Sequence, residues 1–406
     1  MKKIKLGVIG LGRGGHVAHQ ITQITEGRIE IGAVVDISNE NYQSACKEYH
    51  IKPVCYSSVD EMLKKEKPDA ALIGTPNEFH LQNLESFRGM NIPLLLEKPL
   101  DSTFEKICGV VRFAATYKAP ILVGHCMRYA PILRCAKEII QSGGIGKICS
   151  TRFTQNCHYG NLMYHNWRRN REKSGTMFLE KATHDIDIMQ WLIEAKPVTV
   201  MAAARLQAYG GNESNDLRCS TCEKKLSCPE NYQAILHRWG IQIPDEAKSR
   251  QDFCSFARET DTPDNEVCLI QFDNNTFGTY TECFFTPRSY HHRVYEVHGT
   301  LGAMEIDLGE TEGEILLCKR YGSNKDDVTF RFDYLGRNHY NGDGEMARHF
   351  YQVICGNEKP HSTVKQAFMA ELTGYAAVKS SLVNENLKAA DLVPEDLKSI
   401  LKETLF

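Results

Sequence analysis

Near the start of the chain, short apolar runs alternate with longer stretches of helical spacing. The runs are Lys5–Gly10 (KLGVIG), Ile29–Asp36 (IEIGAVVD), Asp69–Gly74 (DAALIG), Ile92–Leu96 (IPLLL) and Ile121–Gly124 (ILVG). Between them lie His16–Ile24, Ser58–Lys65, Phe79–Gly89 and Thr103–Tyr117, whose apolar residues recur at helical intervals. Short runs rich in Val, Ile and Leu read as buried strands, and strands alternating with helices predict a parallel sheet wound in the right-handed sense. Further along, Phe178–Leu192 (FLEKATHDIDIMQWL) has the spacing of a core-facing helix yet carries Glu180, Lys181, His184, Asp185 and Asp187. Across Phe272–Val297 the period changes to two, as in strands with one covered face. A helix begins near Gly342, and the tail after Val383 reads as a loop plus a short amphipathic helix.

The first strand runs into G-L-G-R-G-G, Gly10 to Gly15, and the second ends on Asp36. Gly10 permits a tight turn, Gly12 lets the backbone approach a pyrophosphate, and Gly15 is expected to let the next helix pack against the strand. The N-terminus of the helix that follows offers N–H donors and positive dipole charge to phosphates, and Arg13 in the turn is a candidate cofactor residue. Asp36 stands where an acid takes the ribose hydroxyls and repels a 2′-phosphate, which favours NAD over NADP. Ligands of such sheets bind beyond the carboxyl ends of the strands. Candidate cofactor residues are therefore Thr75, Pro76, Asn77 and His80 after one strand, Glu97, Lys98 and Pro99 after the next, and His125 and Arg128 after the third.

Composition bounds the class. At about 150 residues per domain, 406 residues imply two or three domains. A hydrophobic content of 42%, a charged content of 24% and a net charge of −3 describe a soluble protein with no electrostatic case for nucleic acid or an anionic membrane. No apolar run approaches the ~20 residues that span a bilayer, and the start reads as a strand and not a targeting segment. The 15 cysteines are odd in number. Most, such as Cys108, Cys126, Cys149, Cys268 and Cys283, lie in apolar segments, as small buried hydrophobes do in a reducing cytoplasm.

One group differs. Cys219-x2-Cys222-x5-Cys228, followed by Cys254, lies in a polar insertion at about 212–256. A C-x2-C turn with a third and a distant fourth thiolate can complete a tetrahedron around one ion. Structural zinc is the expected occupant and an iron–sulfur cluster the alternative; free thiols or a disulfide stay open. Its expected role is to staple a long loop near the substrate mouth.

GVIGLGRGG, GTPNEFH, LLLEKPL and GHCMRYAP, in that order and spacing, resemble the Gfo/Idh/MocA oxidoreductases, the family of glucose–fructose oxidoreductase, inositol dehydrogenase and rhizopine catabolism. The triplet Glu97-Lys98-Pro99 is the most specific element. The His184-x-x-Asp187 helix, HGTLGAMEID (His298–Asp307) and the late helix agree with it. The resemblance implies an α/β fold: an N-terminal Rossmann domain with a doubly wound parallel sheet over 1–125, and a C-terminal α/β domain with a large open, mainly antiparallel sheet over 126–341. A helix over 342–384 returns to the first domain, and 385–406 form the tail. It implies hydride transfer between nicotinamide and a hydroxyl of a sugar, cyclitol or related polyol. Lys98 would stabilise the alkoxide, His184 would accept the proton, Glu97 would contact the cofactor ribose, and Asn77 and His80 would line its groove. The open sheet face implies a homodimer or homotetramer.

Many members of that family carry aspartate four residues before the histidine, where this chain has Glu180. If the segment is helical, Glu180 shares a face with His184, and either Glu180 or Asp187 fixes the ring's tautomer. Lys181 is expected to touch substrate or to pair with Glu180 or Asp185, and Asp185 to face solvent. Tyr159, Trp167 and Arg168, in an aromatic and cationic segment, are candidate sugar-binding walls. His291 and His292 belong near the site or at a subunit interface. Two other functions stay open, the first of which uses the same Lys98 and His184. In a glycosidase or lyase, NAD stays bound, a hydroxyl is transiently oxidised, and Glu180, Lys181 or Tyr159 serves as an extra base for elimination. In a non-catalytic sensor, NAD binding is coupled to the cysteine cluster.

Overall fold

A computed structural model describes residues 3–240, 252–290, 292–334 and 338–402. His291, residues 241–251 of the insertion and residues 403–406 of the tail lie outside that description.

Six strands, β1 (Ile4–Ile9), β2 (Ile29–Val35), β3 (Val54–Tyr56), β4 (Ala70–Ile73), β5 (Leu94–Leu96) and β6 (Ile121–Val123), form one parallel sheet. Their order is β3-β2-β1-β4-β5-β6, so the winding reverses at the carboxyl ends of β1 and β4, the place where such sheets bind dinucleotides. Every predicted strand is present. The helix Asn39–Tyr49 and edge strand β3 are additions: only Ala45 of that helix and Tyr56 of that strand are buried, so neither leaves an apolar run. Gly10 has φ +85°, and a Cβ there would lie 2.8 Å from the Gly74 carbonyl oxygen. The close approach assigned to Gly15 belongs instead to Gly14. A Cβ on Gly74 would come within 2.6 Å of Gly14 Cα, whereas one on Gly15 makes ordinary contact with Tyr49 at 3.5 Å.

The second sheet contains β7 (Ile148–Asn156), β8 (Pro197–Arg205), β9 (Asn265–Phe272), β10 (Phe277–Cys283), β11 (Arg293–Gly299), β12 (Gly302–Leu308), β13 (Glu312–Lys319), β14 (Val328–Asp333) and β15 (Leu387–Lys388). They stand in the order β14-β13-β12-β11-β7-β10-β9-β8-β15, with β7 and β10 parallel and the other pairs antiparallel. Alternation buries Val200, Ile270, Tyr280, Tyr295 and Ile306 against Ile186 and Met189 of the helix Ala182–Ile193. Met201, Val267, Leu269 and Phe277, on adjacent strands, are left exposed. The same alternation corrects the cysteine reading. Cys108, Cys126 and Cys268 are buried, but Cys149 on β7 is exposed and Cys283 on β10 is half-buried.

The return toward the first sheet uses two helices, not one. Gly342–Ile354 buries Met346, Ala347 and Phe350 against Val17, Ala18 and Ile21 of the helix Arg13–Ile24. Val364–Val383 starts in the core of the first sheet, through Val364, Phe368 and Leu372, and continues into that of the second, through Ala376 and Ala377. It is the rod that joins the cores of the two sheets. The tail adds β15 to the second sheet and seats the helix Glu395–Lys402 on the first through Leu397 and Leu401. Among the described residues, no helix is long and apolar enough to cross a membrane.

Candidate active site

A cavity of about 790 Å³ runs from the glycine turn to the helix Ala182–Ile193. One end is lined by Gly10, Gly12, Arg13, Asp36, Thr75, Pro76 and Asn77, and the other by Lys98, Trp167, Arg168, Glu180, Lys181 and His184. The strand ends thus place residues remote in sequence around one space.

At the glycine end, Asp36 accepts from the backbone N–H groups of Leu11 at 2.7 Å and Ser38 at 2.8 Å. Its carboxylate is fixed between the turn and the end of β2. A Cβ built on Gly12 meets nothing within 4 Å, so the turn opens onto the cavity. Open backbone at a helix start, with an acid across from it, fits the pyrophosphate and ribose of NAD. Glu97 is buried; burial raises its pKa and Arg13, 3.4 Å away, opposes that. Arg13 also donates to Asp343 at 2.6 Å, so it is held between two carboxylates.

Two cofactor assignments change. His80 is fully buried and does not line the cavity. Its ring nitrogens face the carbonyls of Pro99 at 2.8 Å and Thr75 at 3.0 Å, so it braces two lining loops from behind. Arg128 is also buried and outside the lining. Its Nε and Nη2 donate to the two Asp187 oxygens at 2.6 and 2.7 Å, and its Nη1 donates to the His361 carbonyl. A guanidinium paired bidentately with a buried carboxylate is no longer available to a ligand.

At the other end the predicted continuous helix is broken. Met177–Glu180 is one short helix, Lys181 departs from helical geometry (φ −114°), and Ala182–Ile193 is the next. The break sends the Glu180 carboxylate away from His184. It accepts from Arg168 Nε at 2.6 Å and Asn77 Nδ2 at 2.7 Å, while the Glu180 carbonyl accepts from Lys98 Nζ at 2.7 Å. Burial would raise the Glu180 pKa, but Lys98, Arg168 and these hydrogen bonds hold it down at about 2. Glu180 is therefore a permanent anion that orients cations, and a poor proton carrier near neutral pH.

His184 is buried, and its Nδ1 has no hydrogen-bond partner. Neither carboxylate fixes its tautomer, because Asp187 is held by Arg128 and Glu180 by Arg168 and Asn77. Burial, then Lys98, His339 and His125, push its pKa well below the usual value. The ring is thus a neutral base at physiological pH. A base is lost only as pH falls through its own pKa, so the acid limb of kcat/KM should lie below pH ~6.5. Replacing Lys98 with methionine removes a cation and should move the His184 titration upward, as followed by imidazole proton NMR. An unchanged titration would contradict the proximity of the two groups.

Lys181 donates to the Tyr159 hydroxyl at 3.0 Å and pairs with neither Glu180 nor Asp185. Tyr159 itself lies outside the lining and holds Lys181 in place, with His158 and His292 rings packed beside it. Asp185, expected at the surface, is completely buried. It accepts from Tyr280 at 3.2 Å and from Tyr295, and lies 3.0 Å from Arg293, which anchors the helix to the second sheet. Trp167 and Arg168 do line the cavity, with the guanidinium 4.4 Å from the indole centroid.

The sequence reading passed over His339. It lines the cavity, stands 5.4 Å from the His184 ring, and pairs with Asp343 at 3.1 Å. Its segment holds His339, Tyr340 and Asn341 at φ 49°, 57° and 68°. Three successive non-glycine residues in the left-handed region are strained, as residues often are at functional sites. The local sequence NHYNG resembles an ordinary polar turn, so periodicity gave no signal. The donor atoms of Cys126, His184 and His339 lie within 4.8 Å of one another. Cys219, Cys222, Cys228 and Cys254 lie apart from this cavity and line a separate small one.

A doubly wound sheet opening onto an acid-ended glycine turn, with a lysine and a histidine facing it from two domains, is the build of a nicotinamide-dependent oxidoreductase. Comparison with known proteins makes this specific. The oxidoreductase family's NAD-binding Rossmann-fold model matches residues 4–125, and its C-terminal α/β-domain model matches residues 137–385. The chain belongs to this family, whose members include MocA and inositol 2-dehydrogenase. It is 25% identical over 300 residues to a putative oxidoreductase, YteT, of Bacillus subtilis (strain 168), covering 68% of this chain and 70% of that one. It is 26% identical over 240 residues to the 2,7-anhydro-N-acetylneuraminate hydratase of Mediterraneibacter gnavus, covering 59% of this chain and 62% of that one. Among solved structures, levoglucosan dehydrogenase in complex with NADH and levoglucosan superposes with a TM-score of 0.75 at 16% identity, covering 96% of this chain and 100% of that one. That likeness concerns the fold.

Proposed function

We propose that this protein is an NAD-dependent dehydrogenase acting on a hydroxyl of a sugar, cyclitol or related polyol. The observation that supports this most is the sharing of one cavity by Lys98, His184 and the glycine turn. NAD bound on the turn supplies the hydride acceptor. The chain's own residues do the rest. Gly12 and the start of the helix at Arg13 take the pyrophosphate, and Asp36 takes the ribose hydroxyls and disfavours a 2′-phosphate. The Lys98 ammonium, oriented by the Glu180 carbonyl, stabilises negative charge on the substrate oxygen. His184, neutral and buried, takes the hydroxyl proton. Trp167 offers a flat face to a sugar ring, and Arg168 and Lys181 offer donors to its other hydroxyls. Such a site accepts a compact, uncharged or anionic polyol. The exposed apolar face of β8, β9 and β10 supports a homo-oligomer built through the second sheet.

A second reading is supported by the relatives named as anhydro-N-acetylneuraminate hydratases. In this reading the same hydroxyl is oxidised transiently by the bound NAD, and a second base removes an adjacent C–H proton. Glu180, held at about 2, is unsuited to that step. Lys181 suits it better, because burial lowers its pKa and it is hydrogen-bonded to Tyr159. The two readings separate in one assay: reduced-nicotinamide absorbance during turnover of a panel of sugars, cyclitols and glycosides. Net accumulation supports the dehydrogenase, and bond cleavage without accumulation supports the second reading. If no panel member changes absorbance or is cleaved, both readings lose their substrate class.

A further inference from the structure

The cysteine insertion is a second built site. Backbone pairing aligns its two arms: Cys219 N–H donates to Asp252 O at 2.7 Å, Cys254 N–H donates to Leu217 O at 2.9 Å, and Arg218 bridges to Phe253. The loop after Cys222 turns back through Cys228 N–H to Lys224 O at 2.9 Å. Three neighbouring thiols and the distant Cys254 thereby line one cavity of about 20 Å³. A single water or ion needs roughly 10–15 Å³ by that measure. His165 lines the same space. It is fully buried, its Nε2 has no hydrogen-bond partner, and its Nδ1 lies 3.8 Å from Cys219 Sγ.

Among the described residues, the apolar core of this region is small. Its buried apolar cluster consists of Cys219, Tyr232 and Leu236, with Leu162 packed against them. A polar excursion with so small a core needs a cross-link to be ordered. All four cysteines are free thiols. Among the described residues, no three of their sulfurs lie within 4.8 Å of one another. A zinc tetrahedron has S···S edges of ~3.8 Å, so zinc would draw the thiolates inward, whereas an iron–sulfur core would span a wider gap.

We propose that Cys219, Cys222, Cys228 and Cys254 hold a thiolate-bound metal centre, and that this centre braces the wall of the polyol site. The path is continuous. Arg169 Nη1 donates to the Cys254 carbonyl at 2.8 Å, and Arg169 Nη2 donates to the Asn215 carbonyl at 2.8 Å. Phe253 N–H donates to His165 O at 3.1 Å, and the Arg169 and Arg218 guanidiniums lie 4.5 and 3.7 Å from the Phe253 ring centroid. Between His165 and Arg169 stand Trp167 and Arg168, which face the cavity, and Arg168 grips Glu180. The glycine turn and Asp36 lie on the other sheet, outside this path. Loss of the centre should loosen the substrate wall and leave the cofactor end intact. The wall's part in substrate binding rests on the dehydrogenase reading, whereas the metal centre stands without it.

The test uses the full chain purified without chelator, its metal and acid-labile sulfide content, and Cys222→Ser and Cys228→Ser variants beside Cys149→Ser as control. Stoichiometric zinc without sulfide, or iron with equimolar sulfide, supports the centre and identifies it. Either site variant should lose the metal, keep its NAD Kd within about twofold, and raise KM for the polyol about tenfold or more. Amide hydrogen exchange over residues 165–169 should quicken on metal removal even if no polyol is turned over, which separates failure of the substrate reading from failure of this one. Wild-type protein without stoichiometric metal, or a Cys222→Ser/Cys228→Ser protein that retains it, overturns the centre. Unchanged exchange and unchanged KM after metal loss overturn the bracing.

Discussion

Replacing His184 with glutamine should lower kcat by about 10²- to 10⁴-fold, the usual worth of a positioned general base, while NAD still binds. The ring sits at the start of the helix Ala182–Ile193, facing the same cavity as Lys98. Its Nδ1 makes no hydrogen bond that glutamine would break, and its low pKa means that the folded protein contains a neutral ring. A neutral amide of similar reach therefore preserves packing and charge and removes only the proton acceptor. In the proposed reading NAD rests on Gly12 and Asp36, which line the far end of the cavity. Stopped-flow turnover and calorimetric NAD binding on the same preparation check both halves. Equal loss of NAD affinity would mean that the variant damaged the fold.

The largest stability effect is expected at Arg128, a residue the sequence assigned to the cofactor. Arg128→Met leaves the Asp187 carboxylate buried, with His125 Nδ1 at 3.5 Å as its remaining charge partner. Stranding one member of a buried ion pair costs about 3–5 kcal/mol, a large part of the ~5–15 kcal/mol that holds a domain. Arg128→Met/Asp187→Leu should recover much of the loss, because no charge is then left unpaired. The effect should also depend on pH. Burial, opposed by Asp187 and reinforced by Arg128, lowers the His125 pKa to about 4. Removing Arg128 removes one contribution to that depression and leaves burial in place, so His125 in the variant binds a proton at higher pH than in the parent and pairs with Asp187. The variant's deficit should therefore be smaller at pH ~5 than at pH ~8. Urea midpoints of both proteins at both pH values test this. A deficit that grew toward acid would contradict the assignment of His125 as the reserve partner.

These two residues show what was legible in the sequence. Strands β1, β2, β4, β5 and β6 were readable because burial on both faces leaves unbroken apolar runs, and the glycine turn with Asp36 because its backbone needs are chemical. Edge strand β3 and the helix before it were not, since each buries a single side chain. At the site, residue types were legible and partners were not. Nothing in spacing tells that Arg128 turns to Asp187, that Asp185 goes inward to Tyr280 and Tyr295, or that the helix breaks at Lys181. Each depends on what another segment supplies across the fold. His339 was missed for the same reason: its role comes from a strained turn that delivers it to His184, and the turn has no period.

The account depends on hydride transfer at the point where His184 and Lys98 meet the cofactor end of the cavity, a step that both catalytic readings share. The direct measurement is a single-turnover mix of NAD-loaded protein with an active sugar or cyclitol, followed at the reduced-nicotinamide band. Wild-type protein should show the band rising within one turnover. The reduced nicotinamide should carry deuterium when the substrate's reacting carbon is deuterated, and the band should rise at least about a hundredfold more slowly in His184→Gln. Turnover with no reduced nicotinamide at any time, or a band that rises as fast without the imidazole, would contradict the account.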